Sequence, residues 1–239
     1  MNMNTQARRA GLHTLGAAAM LCLSLGTAHS ARPLGVDDTG ILDTGTCQLE
    51  AWQDHEAGTR ALHLAPSCGV LPGVEFNVEA IRGAPRDEVS QGAYVGLRWA
   101  PEFAQWQGWQ FGARTGWLRE HPPGEPHWQP GEWMAGLMAT RPLGEDVTVL
   151  VNLGHTHVSS EQGLKLTTYG VALAWTPHPR WMVFAEALGA VRQNTDLGAG
   201  FRYWVIPDVL GLDATATRTT THSANTVWGL GFGWYGIRF

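Results

Sequence analysis

Lysine is all but missing from this 239-residue chain: Lys165 stands alone beside fifteen arginines, against twenty-one acidic residues and a formal charge of −5. No basic face is left for a nucleic acid, so that class of partner is excluded. Charge of either sign is scarce at 15%, below the roughly 25% of soluble domains. Cysteine is nearly absent too, with three residues, which excludes a disulfide-dense miniature fold. No phosphate loop, HExxH run or CxxC cluster occurs, so no cofactor, metal or catalytic set is expected from motifs. Beyond the first thirty residues no apolar run reaches helix-spanning length, so a membrane role must use strands. What the chain has in excess is twelve Trp and thirty Gly.

Residues 1–30 read as an export signal. Arg8 and Arg9 form a positive start, 11–25 are uncharged and mostly apolar, and Ala28 and Ser30 offer small residues before a cut at Ala31. A membrane anchor would need about 20 apolar residues. Lipidation at Cys22 is disfavoured because Leu21 precedes it where a small residue is wanted. Removal of the segment deletes two Arg and no acid, taking the charge from −5 to −7. Residues 31–45 are expected as a periplasmic lead, and 46–239 as the folded body.

That body divides into about twelve alternating segments separated by Pro, Gly, Asp, Asn and Ser. Their approximate cores are 46–54, 60–68, 73–82, 92–100, 107–119, 132–141, 147–157, 164–176, 181–191, 197–206, 209–219 and 226–239. An even number suits an all-β fold, a closed antiparallel barrel of the outer-membrane type. One alternation is greasy, as in Val147, Val149, Val151 and Leu153; the other is polar or small, as in Gly92, Tyr94, Gly96 and Arg98. A soluble sandwich would show the same alternation, but aromatic placement discriminates. Trp99, Trp109, Trp175, Trp181 and Tyr235 fall on the greasy face at one end, and Trp117 and Trp133 at the other. Two aromatic rings around an apolar band are what anchoring at lipid headgroups demands. Short turns at 71–73, 143–146, 177–180 and 207–211 alternate with longer links such as 120–130, 158–163 and 220–225, matching short periplasmic turns and longer outer loops. The loop at 57–58 and the turn at 101–106 depart from that rule.

Tyr235, Ile237 and the terminal Phe239 share one alternation in the last segment and resemble the C-terminal signal read by the bacterial barrel-assembly machinery. In that frame Trp228, Leu230, Phe232 and Trp234 point to the lumen, while Gly229, Gly231 and Gly233 face lipid. Either a bulge reverses the faces or aromatics fill part of the lumen.

A two-residue loop at 57–58 pairs residues whose numbers sum to 115, and Cys47 and Cys68 meet that condition. They form a non-hydrogen-bonded pair with Cα atoms roughly 4.5 Å apart, within reach of a cross-strand disulfide. The alternative is two free thiols.

Glu50, Asp54, Glu75, Glu79, Arg98, Arg114, Glu186, Arg202 and Asp213 collect on the polar face. Inside a barrel such charges are hydrated or paired. They form either a selectivity lining for a polar part of a solute or ion pairs filling a closed lumen, with Glu186 and Arg202 expected to pair. His157 and Ser159 lie two apart on the greasy face, a spacing similar to that of outer-membrane lipid hydrolases. The Asn that normally follows the Ser is missing, so a polar strand end is the simpler reading.

Arg32, Pro33, Leu34, then Asp37, Asp38, Thr39, Gly40, with Gly45 and Glu50, resemble the opening of bacterial outer-membrane transporters grouped with the MetA-pathway phenol-degradation proteins. Asn152, Leu153 and Gly154 are similar to a strand of that group. The resemblance implies a barrel in the outer membrane, a partner in its lipid, and a route for small hydrophobic or aromatic compounds. It supplies no binding residues. A passive pore for a small solute, a closed structural barrel, and a lipid hydrolase using His157 and Ser159 are the functions the residues leave open.

Overall fold

The computed structural model describes residues 34–84, 90–159, 163–221 and 224–238. The signal segment 1–30 and Phe239 of the assembly signal lie outside them. Among the described residues the chain is all strand: β1 (Thr46–Glu56), β2 (Thr59–Leu71), β3 (Val74–Ala84), β4 (Gln91–Trp99), a two-residue β5 (Gln105–Trp106), β6 (Trp109–His121), β7 (Glu132–Pro142), β8 (Val147–Val158), β9 (Lys165–His178), β10 (Trp181–Ala190), β11 (Thr195–Ile206), β12 (Leu210–Thr219) and β13 (Thr226–Arg238). No helix is long and apolar enough to cross a membrane among the residues described, which says nothing against crossing by strands.

Each long strand pairs antiparallel with the next. β1 pairs with β13, β4 pairs with β6, and β5 is a short hairpin flap on β6, so twelve strands close into a barrel without a free edge. The twelve segments read from the sequence match these strands in order. A period of two sorts the side chains: Leu97, Trp99, Leu137, Leu153, Val171, Leu173, Trp175, Leu197 and Phe201 are exposed outward, and Gly96, Arg98, Met138, Asn152, Ala172 and Arg202 are buried inward. An exterior this apolar belongs against hydrocarbon, where a closed strand ladder leaves no backbone polar group unpaired.

The first hairpin turns on Ala57 and Gly58, both at positive φ (44° and 91°), the handedness that matches strand twist in two-residue loops. It sets Cys47 opposite Cys68, and the disulfide is formed with Cα atoms 4.1 Å apart.

β13 corrects the face assignment of the last segment. The β1–β13 register jumps between Cys47 and Leu49, which oppose Ile237 and Trp234, and Gly236 takes a positive φ of 73°. This bulge reverses the alternation. Upstream of it Trp228, Leu230, Phe232 and Trp234 face out, and Gly229 and Gly233 face in. Tyr235 therefore turns inward and Trp234 takes its place in the outer ring, while Ile237, opposite outward-facing Cys47, keeps the lipid side.

Residues 34–45, within the segment expected as a periplasmic lead, lie against the barrel's own strands. Asp43 and Thr44 lie against Gly69 of β2, where a Thr44–Gly69 bridge and a Gly45 N–H to Gly69 carbonyl bond of 2.9 Å tie them down. A Cβ on Gly69 would come within 2.3 Å of the Leu42 and Asp43 carbonyl oxygens, so only glycine admits the lead there. Upstream of that tie the chain crosses the lumen to the opposite wall, where Val36 and Asp37 are 2% and 1% exposed.

Candidate functional site

The lumen is built from side chains that alternate inward on glycine-rich strands. Tyr94 of β4 shows why glycine is needed: its ring lies flat across Gly96 and Gly116, and a Cβ on Gly116 would meet its hydroxyl at 2.3 Å. Small neighbours let large inward groups lie against the wall, and the lead packs among them.

The lead is held on three sides. On β8, β9 and β10, Leu150, Ala172, Ala174, Phe184 and Leu188 form an apolar wall that buries Val36, with Leu34 packed against it. On β10, Glu186 accepts the Gly35 N–H at 2.7 Å and the Val36 N–H at 3.1 Å. Asn152 of β8 clasps the next peptide in both directions, accepting the Asp37 N–H at 2.7 Å and donating Nδ2 to the Asp37 carbonyl at 2.8 Å. Thr140 accepts the Thr39 N–H at 2.9 Å, and Glu75 accepts the Leu42 N–H at 3.2 Å.

The third side is charged. Arg98 of β4 and Arg114 of β6 are direct cross-strand partners, both inward. Arg114 donates to Asp37 Oδ2; Arg98 donates to Glu75 Oε1 at 3.1 Å, to the Asp38 carbonyl at 2.7 Å and to Asp38 Oδ1 at 3.0 Å. The Asp37 side chain is wholly buried, and its Oδ1 lies 3.9 Å from Arg98 Nε. Two guanidiniums side by side in a low-dielectric lumen need carboxylates between them, and the lead brings two.

Two further polar groups complete the lumen. Arg202 of β11 forks onto Asp213 of β12 through Nε at 2.6 Å and Nη2 at 2.8 Å, with Glu50 at 3.6 Å. Tyr235 donates its hydroxyl to Glu50 at 2.5 Å, and the Trp204 and Tyr235 rings, set edge to face, lie 5.0 and 5.1 Å from the Arg202 guanidinium. Towards the long-loop end, His63 meets Glu79 at 2.6 Å and Asp54 at 3.5 Å and stacks on Trp52 with ring centroids 4.5 Å apart. All nine charged residues expected on the polar face thus lie inside, and His63, Asn152, Asp37 and Asp38 join them. Asp37 and Asp38 lie outside the strand pattern, and Asn152 shares the polar face with Thr148 and Thr156 without a charge to mark it.

Glu186 and Arg202 do not form the expected cross-strand pair. Arg202 lies opposite Met182 and Glu186 opposite Gly198, four positions away on the same ladder, or about 13 Å along a strand. Arg202 serves Asp213 and Glu50 instead, and Glu186 caps the lead.

His157 and Ser159 remain on the outer face near the long-loop end. The His157 Nδ1 is buried without a hydrogen-bond partner among the described residues, and the Ser159 N–H bonds the Gly131 carbonyl at 3.1 Å. Among the described residues no group of three or more His, Cys, Asp or Glu is arranged to hold a metal ion.

A closed twelve-stranded barrel with an oily, tryptophan-bordered exterior and a charged, glycine-rich interior is an outer-membrane β-barrel. Residues 18–230 match the family described as "Uncharacterised conserved protein UCP029691", and the chain belongs to that family. No protein of curated function matches it by sequence. Among solved structures it is similar to KdgM porin (12% identity, 78% of this chain and 98% of that chain, TM-score 0.61). It is similar also to the COG4313 outer membrane channel from Pseudomonas putida F1 (11%, 83% and 98%, TM-score 0.52) and to outer membrane phospholipase A from Escherichia coli (11%, 83% and 93%, TM-score 0.51). At these identities the likeness shows the fold.

Proposed function

We propose that this chain is an outer-membrane channel for a small solute, held shut at rest by its own residues 34–45. The observation that carries the reading is the manner in which the lead is held. Backbone pairing ties it at Thr44 and Gly45, whereas from residue 42 inward its amides rest on the side chains of Glu75, Thr140, Asn152 and Glu186. A segment woven into the sheet would open only with the barrel; one held by side chains leaves the lumen at the cost of those contacts alone. The porin and channel likenesses support a conducting barrel, and the resemblance of the opening residues to the MetA-pathway group supports a small hydrophobic or aromatic solute. Outer-membrane lipid covers the exterior. Ile237 and Phe239, with Tyr235 before them, serve as the assembly signal while the chain is still unfolded, before the bulge turns Tyr235 inward.

Liposome swelling tests the reading. Native protein should admit a small neutral sugar such as arabinose slowly, and a variant with a weakened lead should admit it quickly. A second reading, a permanently closed structural barrel, is favoured by the Arg202–Asp213–Glu50–Tyr235 knot, which fills lumen apart from the lead. It predicts no swelling in either protein.

A further inference from the structure

We propose that Arg98, Arg114 and the apolar wall of β8 to β10 form a binding site for a small carboxylate with an apolar body, and that Asp37 and Val36 occupy this site as an internal stand-in. The inference rests on the reading of residues 34–45 as a displaceable stopper, and it names the solute that stopper imitates.

The charged half of the site follows from register. Arg98 and Arg114 are directly opposed on adjacent strands and turned into the lumen, with side chains 5% and 14% exposed. Like charges so placed repel, and buried cations need an anion. Glu75 serves Arg98 at 3.1 Å; the carboxylate on Arg114 comes from Asp37, inside the lead. When the lead withdraws, the wall presents two guanidinium forks with one carboxylate, Glu75, on the far side of Arg98 from Arg114. A guanidinium fork is shaped for a carboxylate, more so than a lysine ammonium is. Asn152, whose amide already grips the Asp37 peptide, is freed at the same moment.

The apolar half lies one residue away. Val36 fills the hollow formed by Leu150, Ala172, Ala174, Phe184 and Leu188. Consecutive Cα atoms are about 3.8 Å apart, so a hydrocarbon group and a carboxylate separated by the span of one small molecule reproduce Val36 and Asp37 together. A neutral aromatic satisfies only the wall and leaves Arg114 without its anion. Acetate satisfies only the arginines. An arylcarboxylate satisfies both.

The test is binding of 4-fluorobenzoate to the full chain in detergent, followed by fluorine NMR. Asp37→Asn removes the lead's carboxylate from Arg114, leaves Asp38 on Arg98 and keeps both arginines, so 4-fluorobenzoate should bind this variant at least tenfold more tightly than native protein. On the same variant 4-fluorobenzyl alcohol and acetate should each bind at least tenfold more weakly. Adding Arg114→Gln should remove the preference for the carboxylate. Equal binding of the alcohol and the benzoate to Asp37→Asn overturns the proposal even where the arginine variant does not fold. So does an Arg114→Gln barrel that folds, by its gel shift on heating, and still prefers benzoate. Arabinose swelling of Asp37→Asn liposomes separates this from the channel reading: swelling without discrimination between the probes sinks the carboxylate site alone, and discrimination without swelling sinks the channel alone.

Discussion

Replacing Val36 by aspartate places a carboxylate where the lead now puts two methyl groups, and the consequence can be worked from the contacts. Val36 is 2% exposed against Leu150, Ala172, Ala174, Phe184 and Leu188. Losing that burial costs about 1.5–3 kcal/mol, and a carboxylate in the same apolar hollow adds several kcal/mol more. The docked lead is therefore weakened by about 5 kcal/mol or more, close to the roughly 5.5 kcal/mol that moves a two-state equilibrium from 1:99 to 99:1. Val36→Ala is the graded control: two methyl groups at about 0.8 kcal/mol each give roughly 1.6 kcal/mol, or about fifteen-fold in the open population. The assay is the rate of arabinose-driven liposome swelling at equal protein density, with planar-bilayer conductance as the second readout. Barrel closure is checked by retarded or advanced migration of unboiled samples. The expected order is Val36→Asp fastest, then Val36→Ala, then native. A folded Val36→Asp barrel that swells liposomes no faster than native protein refutes the gating argument, because the perturbation would then have left the lumen as closed as before.

Other residues give sharper tests of the scaffold. Arg202→Met takes the guanidinium fork from Asp213, whose side chain is 2% exposed, and leaves Glu50 with the Tyr235 hydroxyl; it should cost about 3–5 kcal/mol in urea unfolding from detergent, and adding Asp213→Asn should recover part of it. Replacing Cys47 and Cys68 by serine opens a link across 21 positions and should cost about 3 kcal/mol by the same measurement. Ala57→Asn relieves a left-handed alanine at φ 44°, so the hairpin should gain about 1 kcal/mol; a loss would show that the turn tolerates alanine for reasons outside its backbone.

Strand order, strand limits, the disulfide and the inward set of charges were legible in the sequence because each follows from a period of two and from loop length, which are local. Glu186 and Arg202 were matched wrongly for a reason of the same kind: parity says that both point inward, but only register says at what height. The last strand leaves a bulge and an aromatic-filled lumen as alternatives in the sequence because a single added residue at 235–236 shifts everything before it, and the bulge has no signature beyond Gly236. The better clue was Gly229, Gly231 and Gly233, which give hydrocarbon nothing to touch and so belong inside. The lead was opaque for a different reason. Residues 34–45 carry no periodicity, and their place is set by groups distant along the chain, from Gly69 to Arg98, Asn152 and Glu186. The nearest hint was arithmetic, since Arg98 and Arg114 oppose each other with Glu75 as the carboxylate beside them on the adjoining strand.

The bridge from Thr44 to Gly69, one residue from the disulfide at Cys68, gives the proposed stopper a hinge riveted to the barrel rim. Whatever dislodges it leaves it tethered, so recapping the bore is a unimolecular event whose speed does not depend on how many copies share the membrane. A short tether also keeps the effective concentration of the cap in the millimolar range, which a solute in the surroundings must rival to hold the passage open.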